Sequence, residues 1–163
     1  LPQEDNTVKV ASWKDIEATN RPIPYDRLIN KKCIGAIDFS FIKDFTACGV
    51  LFKDGNDYVW DSHQFARREF IKEAKLKPPI FEWEENGLIT MLDEPVINIK
   101  YMVNYFCEMR EKYGLDTIIG DTFRLDIVKQ ALEDAGFRVL YIKNPHAIYA
   151  ILAPRIEIGR AHV

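Results

Sequence analysis

The chain has 163 residues, with 22 Lys and Arg against 25 Asp and Glu and a formal net charge of −3, so it offers no global basic field to hold nucleic acid. Its 47% hydrophobic and 29% charged residues describe one globular domain with a real core, and no run is apolar enough to span a membrane. Any contact with nucleic acid must come from a local patch. Cys33, Cys48 and Cys107 are odd in number and at no metal-ligand spacing, which reads as three reduced, buried, structural thiols in a reducing compartment.

Residues 1–31 read as a polar arm rather than a domain. Residues 13–19 suit a short helix capped by Ser12, and Pro22 and Pro24 force an extended segment after it. Residues 33–40 and 45–52 then read as two apolar strands, buried on both faces and joined by a tight turn at Ile42, Lys43 and Asp44. Asp38 interrupts the first of them. An ionised carboxylate there is costly to bury unless something charged or hydrogen-bonding meets it. Hard oxygen ligands suit Mg²⁺ or Mn²⁺, so a divalent cation is one such partner. An aspartate that ends the strand and caps the turn is the competing reading. Asp54-Gly55-Asn56 predicts a hairpin into a third strand over residues 57–65.

Residues 66–77, ARREFIKEAKLK, have helical character and a basic excess, and Pro78-Pro79 stops them. Arg67, Arg68 and Lys72 are candidates for meeting DNA phosphates, which would give sequence-independent affinity. The alternative is a solvated helix face with Glu69 and Glu73 pairing locally. Residues 66–98 look like an insertion between two core elements, with Glu82, Glu84 and Glu85 on its exposed surface. Asn98 is expected to cap an amphipathic helix that runs to about Tyr113. Tyr101, Met102, Tyr105, Phe106 and Met109 form its inward stripe, and Gly114 is its stop. A short strand over residues 117–121 ends in Asp121, a helix follows over 122–135, another strand over 137–142, and a last helix starts near Pro145. Arg124, just after Asp121, is a further candidate phosphate contact.

Three antiparallel strands, then helix, strand, helix and strand, make an α/β order: a mixed sheet of three antiparallel and two parallel strands with crossover helices. This is the element order of the ribonuclease-H-like fold. In that order the first strand is central and the strand ending in Asp121 lies beside it. Asp38 and Asp121, distant in sequence, then become neighbours as catalytic acids and metal ligands. Two carboxylates held together repel each other unless cations sit between them. Two metals about 3.5–4 Å apart orient an attacking water and stabilise a leaving oxygen. Asp121 before Thr122 also suits a helix cap.

The strings KKCIGAIDFSFIKDFTACGVLF, PPIFEWEENGLITMLDEP, YGLDTIIGDTFRLDIVKQALEDAGF and KNPHAIYAILAPRIE carry a more specific signal. Together, from Ile23-Pro24 to about Glu157, the chain resembles the nuclease domain of a tailed-bacteriophage terminase large subunit. The resemblance implies an ATP-driven DNA-packaging motor in the host cell cytoplasm, whose nuclease domain cuts concatemeric double-stranded DNA when packaging starts and ends. It implies two Mg²⁺ or Mn²⁺ ions, a portal protein and a small terminase subunit as partners, and ATP used only in the motor domain. It assigns the catalytic and metal-binding acids to Asp38, in IGAIDFS, and Asp121, in IIGDTF.

It also makes residues 1–31 the connection from an ATPase domain, whose Gly-rich phosphate loop is not found here, and 32–157 a partial nuclease domain. The family's third acid comes from beyond residue 157, and Glu157 does not match it, so the fold is expected to be C-terminally incomplete. Residues 158–163 resemble a translated sequencing adapter and are expected to be non-native. Asp44 could stand behind the metal ligands, although a turn role is the stronger reading. Two rivals remain. One is a non-catalytic docking module that binds portal or small subunit. The other, an actin-like ATPase, needs a Gly-rich turn that Phe41-Ile42-Lys43-Asp44 does not supply.

Overall fold

A computed structural model describes residues 12–42, 44–74, 76, 78–121, 125–144, 146–148 and 150–151, with the backbone alone at Asp121 and Leu125. The chain divides into two compact units, Pro24–Lys143 and a smaller one made of Leu1–Ile23 with Asn144–Val163. In the smaller unit, helix α1 (Trp13–Thr19) starts as expected at Ser12. The Asp15 N–H donates to Ser12 Oγ, and the Ser12 N–H donates back to the Asp15 carboxylate, so two orphan donors are satisfied at once. Residues 146–148 and 150–151 are helical, while Pro145 lies outside the described residues.

The larger unit opens with a short helical turn, α2 (Tyr25–Leu28), directly after the proline-bearing segment 21–24. Leu28 is wholly buried, and that burial holds the turn to the body. Six strands follow: β1 (Lys32–Asp38), β2 (Thr46–Asp54), β3 (Asp57–Arg67), β4 (Ile89–Leu92), β5 (Thr117–Asp121) and β6 (Arg138–Ile142). Their order across one sheet is β4-β3-β2-β1-β5-β6. The first three pair antiparallel, β5 joins β1 in parallel, and β6 joins β5 in parallel. This is the ribonuclease-H-like order expected from the sequence. Gly55, with φ of 65°, makes the β2–β3 hairpin possible, because a side chain rarely tolerates that conformation.

Residues 66–98 are not a mere insertion. Ala66 and Arg67 belong to β3, and β4 pairs parallel with it at the sheet edge. A parallel neighbour needs a crossover. Helices α3 (Arg68–Ala74) and α4 (Ile80–Glu85) supply it. They bury Ile71 and Ile80 against Ala66, Ile89 and Met91.

Helix α5 (Lys100–Tyr113) buries Met102, Phe106 and Met109 and ends at left-handed Gly114, as its stripe predicts. Tyr101 and Tyr105 are only half-buried. Asn98 is not the cap residue but accepts the Lys100 N–H at 3.0 Å one step earlier. A Cβ on Gly35 of β1 would lie 3.1 Å from both Phe106 and Ile118, so glycine there lets the helix approach the sheet closely. Helix α6 (Leu125–Asp134) crosses between β5 and β6, with Val128 and Leu132 buried.

The expectation that β1 and β2 are buried on both faces is corrected. Gly35, Ile37, Cys48, Val50 and Phe52 are buried on the α5 side, while Ile34, Ala36, Ala47 and Leu51 stay half-exposed on the other. An antiparallel pair can leave one face open in this way. Of the cysteines only Cys48 is buried, and its burial pushes the thiol pKa far up. All three are unpaired, and Cys33 and Cys107 are half-buried.

Candidate active site

The two acids singled out by sequence are the last residues of adjacent parallel strands. The β1–β5 register pairs Gly35 with Ile118, Ala36 with Ile119 and Ile37 with Gly120. One further step along both strands reaches Asp38 and Asp121, each still paired on its outer side, with Ala47 and Ile142 respectively. Neighbouring strands run about 4.8 Å apart, and the last pair of this ladder, Ile37 with Gly120, stands one residue before each acid. The carboxyl ends of parallel strands are where open α/β sheets place their ligand sites. Alternation along β1 sets Asp38 on the face away from Phe106.

Asp38 is exposed. Contrary to the expectation from sequence, its carboxylate is not a buried charge, because the strand ends just as that residue is reached. The backbone leaving Asp38 is firmly held. The expected tight turn is a connection over residues 39–45, and Lys43 within it lies outside the described residues. Phe39 is buried and packs edge-on to Phe41 at 4.6 Å between ring centroids. Thr46 is wholly buried. Its hydroxyl accepts the Ser40 N–H and donates to the Ser40 carbonyl, both at 2.9 Å. A polar residue at the head of the apolar run 46–52 was the sequence signal for this clamp, and it was not read. Asp44 is exposed, and its Oδ1 accepts the Phe45 N–H at 2.8 Å, the bond expected of a turn residue.

The basic candidates do not form one patch. Arg67 is 9% exposed and faces inward. Its Nε donates to the Glu94 carbonyl at 3.1 Å, Nη1 to the Ile42 carbonyl at 3.3 Å and Nη2 to the Glu69 carboxylate. A guanidinium engaged in this way does not face a phosphate. Arg68 forks onto Glu84 with bonds of 2.9 and 2.6 Å and reaches Asp93 at 3.0 Å. Glu84 is therefore half-buried at an ion pair rather than plain surface, and the Arg68 hydrogen bond pulls its pKa below the usual carboxylate range. Lys72 stays exposed on α3, and Arg124 lies outside the described residues.

His63, read as structural, is held by Thr90 Oγ1 at 2.7 Å and stacks on Tyr105. Burial pushes the imidazole pKa below its ordinary value, with Asp61 opposing. Burial pushes the Asp61 pKa up.

A divalent metal at the strand ends would take Asp38 as one hard oxygen donor, and the chemistry of that donor set suits Mg²⁺ or Mn²⁺. Among the described residues no group of three His, Cys, Asp or Glu side chains could hold a metal ion. Among them, too, no helix is long and apolar enough to cross a membrane.

Comparison with known proteins finds no matching family model and no matching curated protein. Among solved structures, the fold is shared with the HK97 bacteriophage large terminase, at a TM-score of 0.71 and 16% identity, over 94% of this chain and 33% of that one. The large terminase nuclease from thermophilic phage G20c gives a TM-score of 0.47 at 16% identity, over 80% of this chain and 59% of that one. The chain thus spans about a third of the length of the HK97 protein.

Proposed function

We propose that this chain is a nuclease-type domain of a terminase large subunit, a metal-dependent endonuclease that cuts concatemeric double-stranded DNA during viral genome packaging. The observation that carries the reading is the β1–β5 register, whose last pair, Ile37 with Gly120, stands one residue before Asp38 and Asp121 at the ends of two adjacent parallel strands. The fold shared with the HK97 large terminase supports it. Portal protein and small terminase subunit enter as partners on that family reading alone.

In this reading Asp38 and Asp121 hold Mg²⁺ or Mn²⁺. When bound, the metal polarises the phosphodiester and lowers the pKa of a water nucleophile. The chain's own contribution is rigidity. Both acids close strands whose earlier residues are fixed by ladder bonds, and Thr46 and Phe39 fix the backbone that leaves Asp38. Exposure of Asp38 leaves its carboxylate within reach of a hydrated cation. Among the described basic candidates, Lys72 is turned to solvent.

A Mn²⁺ titration followed by electron paramagnetic resonance, run beside a plasmid-nicking assay, tests the reading. Metal binding that Asp38→Asn removes, with the protein still folded, is the expected result. A titration curve unchanged by Asp38→Asn would end the nuclease reading.

A further inference from the structure

We infer that Arg67 is a positioning residue: its buried guanidinium fixes the connection that leaves Asp38, and with it the end of β1. The functional meaning rests on the nuclease reading above, whereas the anchoring itself stands on hydrogen bonds.

A seven-residue connection between two antiparallel strands is longer than the usual two to five, so it needs outside support to keep one conformation. It receives support at consecutive residues. Ser40 is clamped by Thr46 from within the hairpin. The Phe41 carbonyl accepts the Ile97 N–H at 2.9 Å, and Ile97 is wholly buried. The Ile42 carbonyl accepts Arg67 Nη1. Arg67 also donates from Nε to the Glu94 carbonyl, so one side chain ties the connection after Asp38 to the segment between β4 and α5. Two strand-end loops from distant parts of the chain are thereby made one rigid rim.

Simple packing does not require an arginine here. An apolar side chain of similar volume would fill the space without the cost of burying a charge. The single carboxylate partner, Glu69, is itself 69% exposed and so returns little of that cost. What arginine alone offers is a planar fork whose donors point in fixed directions. Two carbonyls on two different loops are what that fork meets. Asp38 is four residues before Ile42 along the same backbone, so freeing Ile42 loosens the segment on which the acid's position depends.

Two variants test this in the full chain: Arg67→Met, which keeps volume, and Arg67→Lys, which keeps charge near Glu69 but loses the fork. Hydrogen exchange read by mass spectrometry should show the peptide spanning residues 39–45 exchanging ~10-fold faster in both variants. Peptides from β2 and α5, which exchange with global unfolding, should stay protected at the short labelling times that resolve this loop. Mn²⁺ affinity should fall about 10-fold in both, as for loss of an outer support to a metal ligand, without the complete loss expected of Asp38→Asn. Unchanged exchange over 39–45, or an equal acceleration everywhere, would overturn the inference. Should Arg67→Met not fold, Arg67→Lys decides by the same readout. A wild-type chain that binds no Mn²⁺ would sink the nuclease reading, while the anchoring would still be decided by exchange.

Discussion

Asp38 and Arg67 exchange the places their sequence neighbourhoods suggest. Asp38 sits in IGAIDFS, surrounded by apolar residues, yet it is exposed. Arg67 sits in ARREFIKEAKLK, the most basic stretch of the chain, yet it is 9% exposed. The reason is the same for both: each lies at a strand end. β1 stops at Asp38, so the carboxylate emerges from the sheet where the hydrogen-bond ladder ends. β3 continues two residues past its expected end, so Arg67 is carried beneath the loops that close the sheet. Local polarity described the company each residue keeps in sequence, and strand length decided which of them met water.

The contrast can be broken by measuring what each charge does for stability. Arg67→Met should have the largest effect, because it removes two hydrogen bonds that a charged guanidinium makes to the Ile42 and Glu94 carbonyls. A hydrogen bond from a charged group contributes roughly 1.5–3 kcal/mol, and an expected loss of ~2–3 kcal/mol would show as a lower urea midpoint at unchanged slope. A loss under ~0.5 kcal/mol would mean that water replaces the arginine freely.

Arg68→Ala should lower the midpoint by less than Arg67→Met. Its fork onto Glu84 is partly exposed, and solvent screens such pairs. An equal or larger loss would show that the Arg68 pair, not Arg67, is the keystone of the β3–α3 corner.

A third, smaller effect should depend on pH. The folded imidazole of His63 has a pKa below its ordinary value of 6.5, chiefly through burial. As pH falls through 6.5 the unfolded chain takes up the proton first, so the destabilisation from this group grows until the folded pKa is also passed and then stays constant. Asp61 acts in the opposite sense at lower pH. Its raised pKa favours the fold below the usual carboxylate value, and that contribution is lost as pH rises through the folded pKa. The drop in urea midpoint between pH 7.5 and 5.5 should therefore be greater in the wild type than in His63→Gln. Equal drops would show that the burial of His63 imposes no penalty on its protonation.

The smallest change in stability should come from Asp38→Asn, within about 0.5 kcal/mol, as for an exposed site. A marked gain in stability on losing the charge would be informative, since acids held close together repel until a cation joins them. It would sharpen the case that Asp121 lies against Asp38.

Much of the fold was legible. The hairpin at Gly55, the stripe and Gly114 stop of α5, the Ser12 cap and the order of strands follow from hydrophobic period and turn chemistry, which act over a few residues. The placement of β5 beside β1 was also reachable, because parallel strands joined by right-handed crossovers admit few arrangements. Three things were decided only in three dimensions. β4 was hidden because four residues, three of them apolar, become a strand only when β3 presents an open edge to pair with. The open face of β1 and β2 could not be read from runs of apolar residues that look the same whether one face or both are covered. The inward turn of Arg67 depends on where the carbonyls of Ile42 and Glu94 come to rest, and those lie on loops 25 and 27 residues away in sequence. Local pattern fixes which elements form, whereas the burial of a charge depends on partners that only the assembled loops bring within reach.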